Sequence, residues 1–177
     1  MDAYLTSKGR RLVGWDEILE GGLAPGATVM SWRGERGGID AANQGHDVVM
    51  APNSYTYLDY YQVEATAPGF SREPHAHRGF IDLARVYSYE PVPAQLPADK
   101  AVHILGSQAQ TWTEFMPDGK HVEYMVWPRL SAMAEALWTP KDQRSYEDFE
   151  RRNAVDLRRL EAQDVNYRRE GGPRGPY

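Results

Sequence analysis

Residues 11–50, RLVGWDEILEGGLAPGATVMSWRGERGGIDAANQGHDVVM, decide the fold class. They contain three short apolar runs, Arg11–Trp15 (RLVGW), Thr28–Trp32 (TVMSW) and Asp47–Met50 (DVVM). None has the period-2 alternation of a strand with one wet face. Between them lie helix and turn signals: a helical stretch from Asp16 stopped by Gly21-Gly22, a Pro25-Gly26 turn, a Gly-rich loop Gly34–Gly38, and a short helix Ile39–Gln44 closed by Gly45. Apolar strands that alternate with helices predict an α/β fold with a parallel sheet covered on both faces.

Outward from this segment, a fourth run, Val102–Gly106 (VHILG), continues the series. Before it lies a long polar stretch, Gln62–Lys100, with Pro68, Pro74, Pro91, Pro93 and Pro97 around one predicted helix, Ile81–Tyr87. A loop of that size is functional or an insertion. Two helices follow. In His121–Trp138, Val122, Met125, Val126, Leu130, Met133 and Leu137 recur at helical spacing, and Pro128 kinks that helix or marks its true start. In Ser145–Ala162, Tyr146, Phe149, Leu157 and Leu160 share a face, and the tail GGPRGPY (171–177) reads as frayed.

The chain has 177 residues, with 20 Lys+Arg against 25 Asp+Glu and a net charge of −5. No basic stripe is present to neutralise phosphates, so nucleic acid is excluded as a partner. The apolar runs fall far short of the about 18 residues of a membrane helix, and MDAYLTSKGRR lacks a signal-peptide core, so no membrane span is expected. Zero cysteines exclude disulfides, Cys-based zinc and a thiol nucleophile, but leave the compartment open. His75-Ala76-His77 lacks further ligands at metal spacing and reads as solvated; Gly34–Gly38 lacks the Lys-Ser/Thr of a phosphate loop. No metal and no cofactor is expected. The aromatic complement, 5 Trp, 11 Tyr and 4 Phe, includes several residues beside carboxylates, a pairing that suits sugars.

In parallel α/β proteins the working residues gather at the carboxyl ends of strands. Trp15 and Trp32 end the first two runs; Pro52–Asp59 (PNSYTYLD) follows the third and Gln108–Glu114 (QAQTWTE) the fourth. The strings GWDEIL (14–19), VMSWRG (29–34), YLDYYQ (57–62), LGSQAQTWTE (105–114) and EYMVWPRLSAMAEALW (123–138), in that order, resemble the C-terminal half of the catalytic domain of family 20 glycoside hydrolases, the β-N-acetylhexosaminidases. The resemblance implies a partial (β/α)8 TIM barrel made of its last four βα units over residues 1–140, followed by a C-terminal helix and tail over 141–177. A complete barrel takes about 250 residues, so the length reads as a deficit.

By that resemblance Trp15, Trp32 and Trp112 line the sugar pocket, and the Tyr57 hydroxyl hydrogen-bonds the acetamido oxygen of the substrate. Asp59 and Glu114 accept hydrogen bonds from sugar hydroxyls. The implied activity is exo-hydrolysis of terminal N-acetylglucosamine or N-acetylgalactosamine, gluco or galacto preference left open, with retention through a substrate-assisted oxazolinium mechanism. The family's catalytic Asp-Glu pair, in an H-x-G-G-D-E segment upstream of the first pocket tryptophan, has no match here. Asp16-Glu17, the only Asp-Glu dipeptide, aligns elsewhere and reads as a first-turn helix pair. The chain alone is therefore expected to be inactive and to need the missing N-terminal half of the barrel. The alternative is a non-catalytic carbohydrate-binding or interaction remnant. Open sheet edges point to a possible homo-oligomer, and the family resemblance points to a periplasmic or extracellular location for the full-length protein.

Overall fold

A computed structural model describes residues 1–173; the frayed tail expected over 171–177 lies, from Arg174 onward, outside them. The elements in chain order are α1 (Asp2–Ser7), β1 (Val13–Trp15), β2 (Thr28–Ser31), α2 (Arg36–Asn43), β3 (Val48–Met50), α3 (Asn53–Thr56), β4 (Tyr60–Tyr61), β5 (His77–Phe80), α4 (Leu83–Tyr87), β6 (Ile104–Ser107), α5 (Gly119–Val126), α6 (Arg129–Trp138) and α7 (Tyr146–Ala162). Short 3₁₀ turns intervene, among them Asp16–Gly21 and Ala98–His103. Two compact units emerge: Met1–Ser54 with Glu90–Gln108, and Tyr55–Tyr89 with the chain from Ala109 onward. Among the described residues no helix is long and apolar enough to cross a membrane.

The first unit is built on a four-stranded sheet in the order β1-β2-β3-β6, parallel throughout. That is the strand order of consecutive βα units. Val29 pairs with Val48 and Ser31 with Met50, so these four residues share one sheet face, and all four are buried. Helix α2 packs on that face. The Ser31 hydroxyl accepts from the Gly38 N–H at 2.9 Å, and a Cβ at Gly38 would lie 2.5 Å from the Met50 sulfur. Met30 and Val49, on the opposite face, are only half-buried.

Three expectations need correction in detail. The helix expected from Ile39 begins at Arg36 and includes two glycines of the expected loop. Their poor helix propensity is overridden because the helix lies against β2 and β3 too closely for a side chain at Gly38. The fourth strand is Ile104–Ser107, not Val102–Gly106: residues 98–103 wind into a 3₁₀ turn that leaves Val102 77% exposed. The stretch 62–100 is not all loop, since β5 pairs in parallel, with an irregular register, with β4. Gly79 in β5 has φ +154°, and a Cβ there would lie 2.2 Å from the Tyr60 ring.

The second unit is mainly helical. As its proline indicated, the stretch 121–138 is broken at Trp127-Pro128 into α5 and α6. Asp82, Asp118 and Ser145 cap α4, α5 and α7 through their side-chain oxygens. Ala76, Met116, Tyr124 and Met125 form an apolar cluster with Tyr61 and Val122 against it. Tyr87 of α4 stacks on Phe149 of α7 and donates to Glu135 of α6, which Arg152 of α7 grips with two bonds of 2.7 Å.

Candidate functional site

In the first unit Trp15 is the last residue of β1 and Trp32 directly follows β2, so both stand at the carboxyl ends of neighbouring strands. Both are half-buried. The Asp16-Glu17 pair, on the turn after β1, fixes the chain around Trp32. Asp16, 2% exposed, accepts from the backbone N–H groups of Trp32 (3.0 Å) and Arg33 (3.1 Å) and from the Arg33 Nε (2.7 Å). Glu17 accepts the Trp32 indole N–H on both oxygens, at 3.0 and 3.1 Å. Partial desolvation works to raise the Glu17 pKa, but its own backbone N–H, the Trp32 indole and the Arg33 charge outweigh it and hold the carboxyl below its ordinary value. The first-turn reading of Asp16-Glu17 thus gains a definite content: the pair fixes the backbone and the indole of Trp32.

In the second unit the segments 56–59 and 110–114 run side by side. Tyr57 bridges Gln110, the Leu58 N–H donates to the Gln110 carbonyl at 2.8 Å, and the Gln110 N–H donates to the Thr56 carbonyl at 2.8 Å. This places Tyr57 and Asp59 on one segment, and Trp112 and Glu114 on its neighbour. Tyr57 is 8% and Asp59 3% exposed, whereas Trp112 is 44% exposed and Glu114 is open to solvent.

Asp59 is an unusual carboxylate. Its Oδ1 is buried with no hydrogen-bond partner, and so is the Gln110 Nε2. Burial drives the Asp59 pKa up to about 6, aided by the Glu114 charge and resisted by its own backbone N–H, His77 and Arg129. His77 follows the same strand pairing, its N–H donating to the Asp59 carbonyl at 3.0 Å and its ring stacking on Tyr60.

The backbone that carries Asp59 is held by Arg129, which is fully buried at the start of α6. Its Nη2 donates to the carbonyls of Leu58 and Met125, each at 2.6 Å, and its Nη1 to those of Ile81 (2.8 Å) and Tyr60 (3.1 Å). Two of the four acceptors flank Asp59 in sequence. Burial lowers the Arg129 pKa to about 9, which leaves it charged at neutral pH. The residue choice follows from geometry, since only a planar fork of donors can serve four carbonyls at once.

Sequence reasoning missed Arg129 and Gln110 as parts of this arrangement. Arg129 did leave a signal: it stands four residues from Met125 and four from Met133, on the buried stripe of the pattern, where an unpaired cation would be costly. Gln110 left none. Among the described residues no group of three or more His, Asp or Glu side chains is placed to hold a metal.

Comparison with known proteins gives a consistent result. The family model described as glycosyl hydrolase family 20, catalytic domain, matches residues 1–141. A beta-hexosaminidase of Porphyromonas gingivalis is 50% identical over 167 residues, covering 94% of this chain and 21% of that protein; one of Vibrio furnissii is 38% identical over 135 residues, covering 73% of this chain and 21% of its own. Among solved structures, the exo beta-N-acetylglucosaminidase of Vibrio harveyi in complex with N-acetylglucosamine aligns with TM-score 0.80 at 34% identity, over 95% of this chain and 26% of that one. A Streptomyces plicatus beta-hexosaminidase mutant with its product aligns with TM-score 0.81 at 26% identity, over 96% of this chain and 34% of that one. The chain thus spans about a fifth of the length of these curated relatives.

Proposed function

Because the chain belongs to family 20 of the glycoside hydrolases, we propose that it supplies the sugar-binding residues of an exo-acting β-N-acetylhexosaminidase. In this reading Asp59 and Glu114 of the second unit accept hydrogen bonds from the hydroxyls of a terminal N-acetylhexosamine and Trp112 offers its C–H surface an aromatic face, while Trp15 and Trp32 are the sugar-stacking residues of the first unit. The Tyr57 hydroxyl holds the acetamido oxygen, which attacks the anomeric carbon to give an oxazolinium intermediate with net retention.

The observation that carries the proposal is the unpartnered pair, an acceptor at Asp59 Oδ1 and a donor at Gln110 Nε2, buried on segments that hydrogen-bond one another. Each such group costs about 1–3 kcal/mol when left unmade. A sugar hydroxyl, which both donates and accepts, is the kind of ligand that satisfies either one.

The general acid is proposed to come from other polypeptide. The one Asp-Glu pair of this chain is committed elsewhere, Asp16 to Arg33 and two backbone N–H groups and Glu17 to an indole. The 177-residue chain, assayed with aryl N-acetyl-β-glucosaminide and N-acetyl-β-galactosaminide, is expected to be inactive. It should gain turnover on mixing with a polypeptide that carries the first barrel strands and an adjacent Asp-Glu pair, and Tyr57→Phe or Glu114→Ala should abolish that turnover. Turnover by the chain alone that these same substitutions remove would defeat the missing-acid reading. Binding of N-acetylglucosamine with no turnover after mixing would instead favour a non-catalytic carbohydrate-binding role.

A further inference from the structure

The Asp16-Glu17 dipeptide is not spent on catalysis, yet both of its carboxylates converge on one residue. Asp16 fixes the backbone of Trp32 and Arg33; Glu17 fixes the indole ring of Trp32. We infer that Glu17 is a positioning residue that sets the plane of the Trp32 ring for sugar stacking. The inference rests on the reading that Trp32 faces the substrate.

The physical case is one of degrees of freedom. Trp32 lies just past the end of β2 with its carbonyl accepting from the Asn53 N–H at 2.9 Å, which holds the backbone but not the ring, and the outer torsion of an indole is broad and roughly two-fold. Backbone pinning by Asp16 leaves that torsion undecided. An acceptor that meets the N–H edge of the ring selects one orientation, and a carboxylate presenting both oxygens to it, at 3.0 and 3.1 Å, does so with a charge-assisted bond. The ring is only half-buried and Glu17 itself is exposed, so neither is needed to fill a core. An exposed interaction of this kind adds little to stability. Its effect falls on ring orientation, where stacking on the C–H face of a sugar is sensitive. Glu20 contributes to the same cluster only through the Arg33 guanidinium, at 2.9 Å, and does not touch the ring.

The test uses the 177-residue chain, N-acetylglucosamine as the probe, and the variants Glu17→Ala, Glu17→Gln and Trp32→Ala. Binding is followed by calorimetry and the Trp32 indole N–H by its NMR resonance, assigned by its loss in Trp32→Ala. Glu17→Ala should leave the melting temperature unchanged, move the indole resonance upfield and weaken binding by about three- to tenfold, the scale of one exposed charge-assisted hydrogen bond. Glu17→Gln keeps an acceptor oxygen and should restore most of both. If Trp32→Ala abolishes binding while Glu17→Ala titrates like the unsubstituted chain, the Glu17 inference falls and the sugar-platform reading stands. If the unsubstituted chain does not bind, or Trp32→Ala binds as it does, the reading beneath the inference falls. An indole resonance indifferent to Glu17→Ala overturns the inference whatever binding does.

Discussion

Asp16 and Asp59 are both buried carboxylates, 2% and 3% exposed, one in each compact unit. Their oxygens meet opposite fates. Those of Asp16 take two backbone N–H groups and an arginine, while Asp59 keeps one oxygen with no partner at all. Burial of a charge is tolerable when hydrogen bonds replace the lost water and destabilising when they do not. Asp16 is therefore readable as a part of the fold. Under the proposed function Asp59 is a group whose partner arrives from outside, on a backbone kept in place by an arginine that spends its own donors on the neighbouring carbonyls.

The comparison can be broken most severely at that arginine. Arg129→Met leaves three buried carbonyls and one part-buried one without this donor and should destabilise the second unit by about 3–5 kcal/mol, measured by chemical denaturation. Arg129→Lys keeps the charge but not the fork and should recover only part of this. Next in size is Asp16→Ala, with an expected loss of about 2–3 kcal/mol. The penalty is smaller because Arg33, 43% exposed at its side chain, can turn to water while the two N–H groups cannot. An Asp16→Ala chain as stable as the unsubstituted one would show that the satisfied carboxylate is not structural after all.

How much of this was legible in the sequence differs between the two units. The sheet was readable because Val29, Val48 and their neighbours are apolar without alternation and are punctuated by helix and turn signals; the parallel order follows from that pattern. The start of α2 was not, because Gly38 is chosen for close approach to Met50, a tertiary demand that propensity cannot anticipate. Strands β4 and β5, sequences YY and HRGF, carry too little apolar patterning to stand out from the polar stretch around them. For the site, Trp15, Trp32, Tyr57, Asp59, Trp112 and Glu114 were named through the family resemblance, and the family itself is borne out. What holds those residues was hidden, because it lies in backbone carbonyls and N–H groups. No side-chain pattern records that Arg129 reaches Leu58, 71 positions away.

Asp59→Asn reverses the sign of the effect. With a pKa near 6 in the fold against an ordinary 3.8, Asp59 holds a proton in the folded chain that the unfolded chain has already released between about pH 4 and 6. Stability therefore falls as pH rises through that window, and the penalty is fully present above pH 6. Removing the charge should stabilise the chain by about 1–3 kcal/mol at pH 7–8 and flatten this part of the pH profile. The same substitution should weaken N-acetylglucosamine binding, since the carboxamide is a poorer acceptor for a hydroxyl. Gain of stability together with loss of binding is what separates Asp59 from Asp16.

The smallest effects test whether Asp59 senses its neighbours as the structure places them. The Glu114 charge raises the Asp59 pKa and His77 lowers it. Glu114→Gln should therefore move the Asp59 midpoint to lower pH, and His77→Ala should move it to higher pH. Each contribution should be about 0.2–1 kcal/mol, the range of solvent-exposed charge pairs, and should shrink as salt is added. Carbon-detected NMR of the Asp59 carboxyl reads the midpoint directly. Opposite movements would place both charges around one carboxylate whose protonation they set, whereas movement in the same direction would mean that the substitutions act by altering its burial.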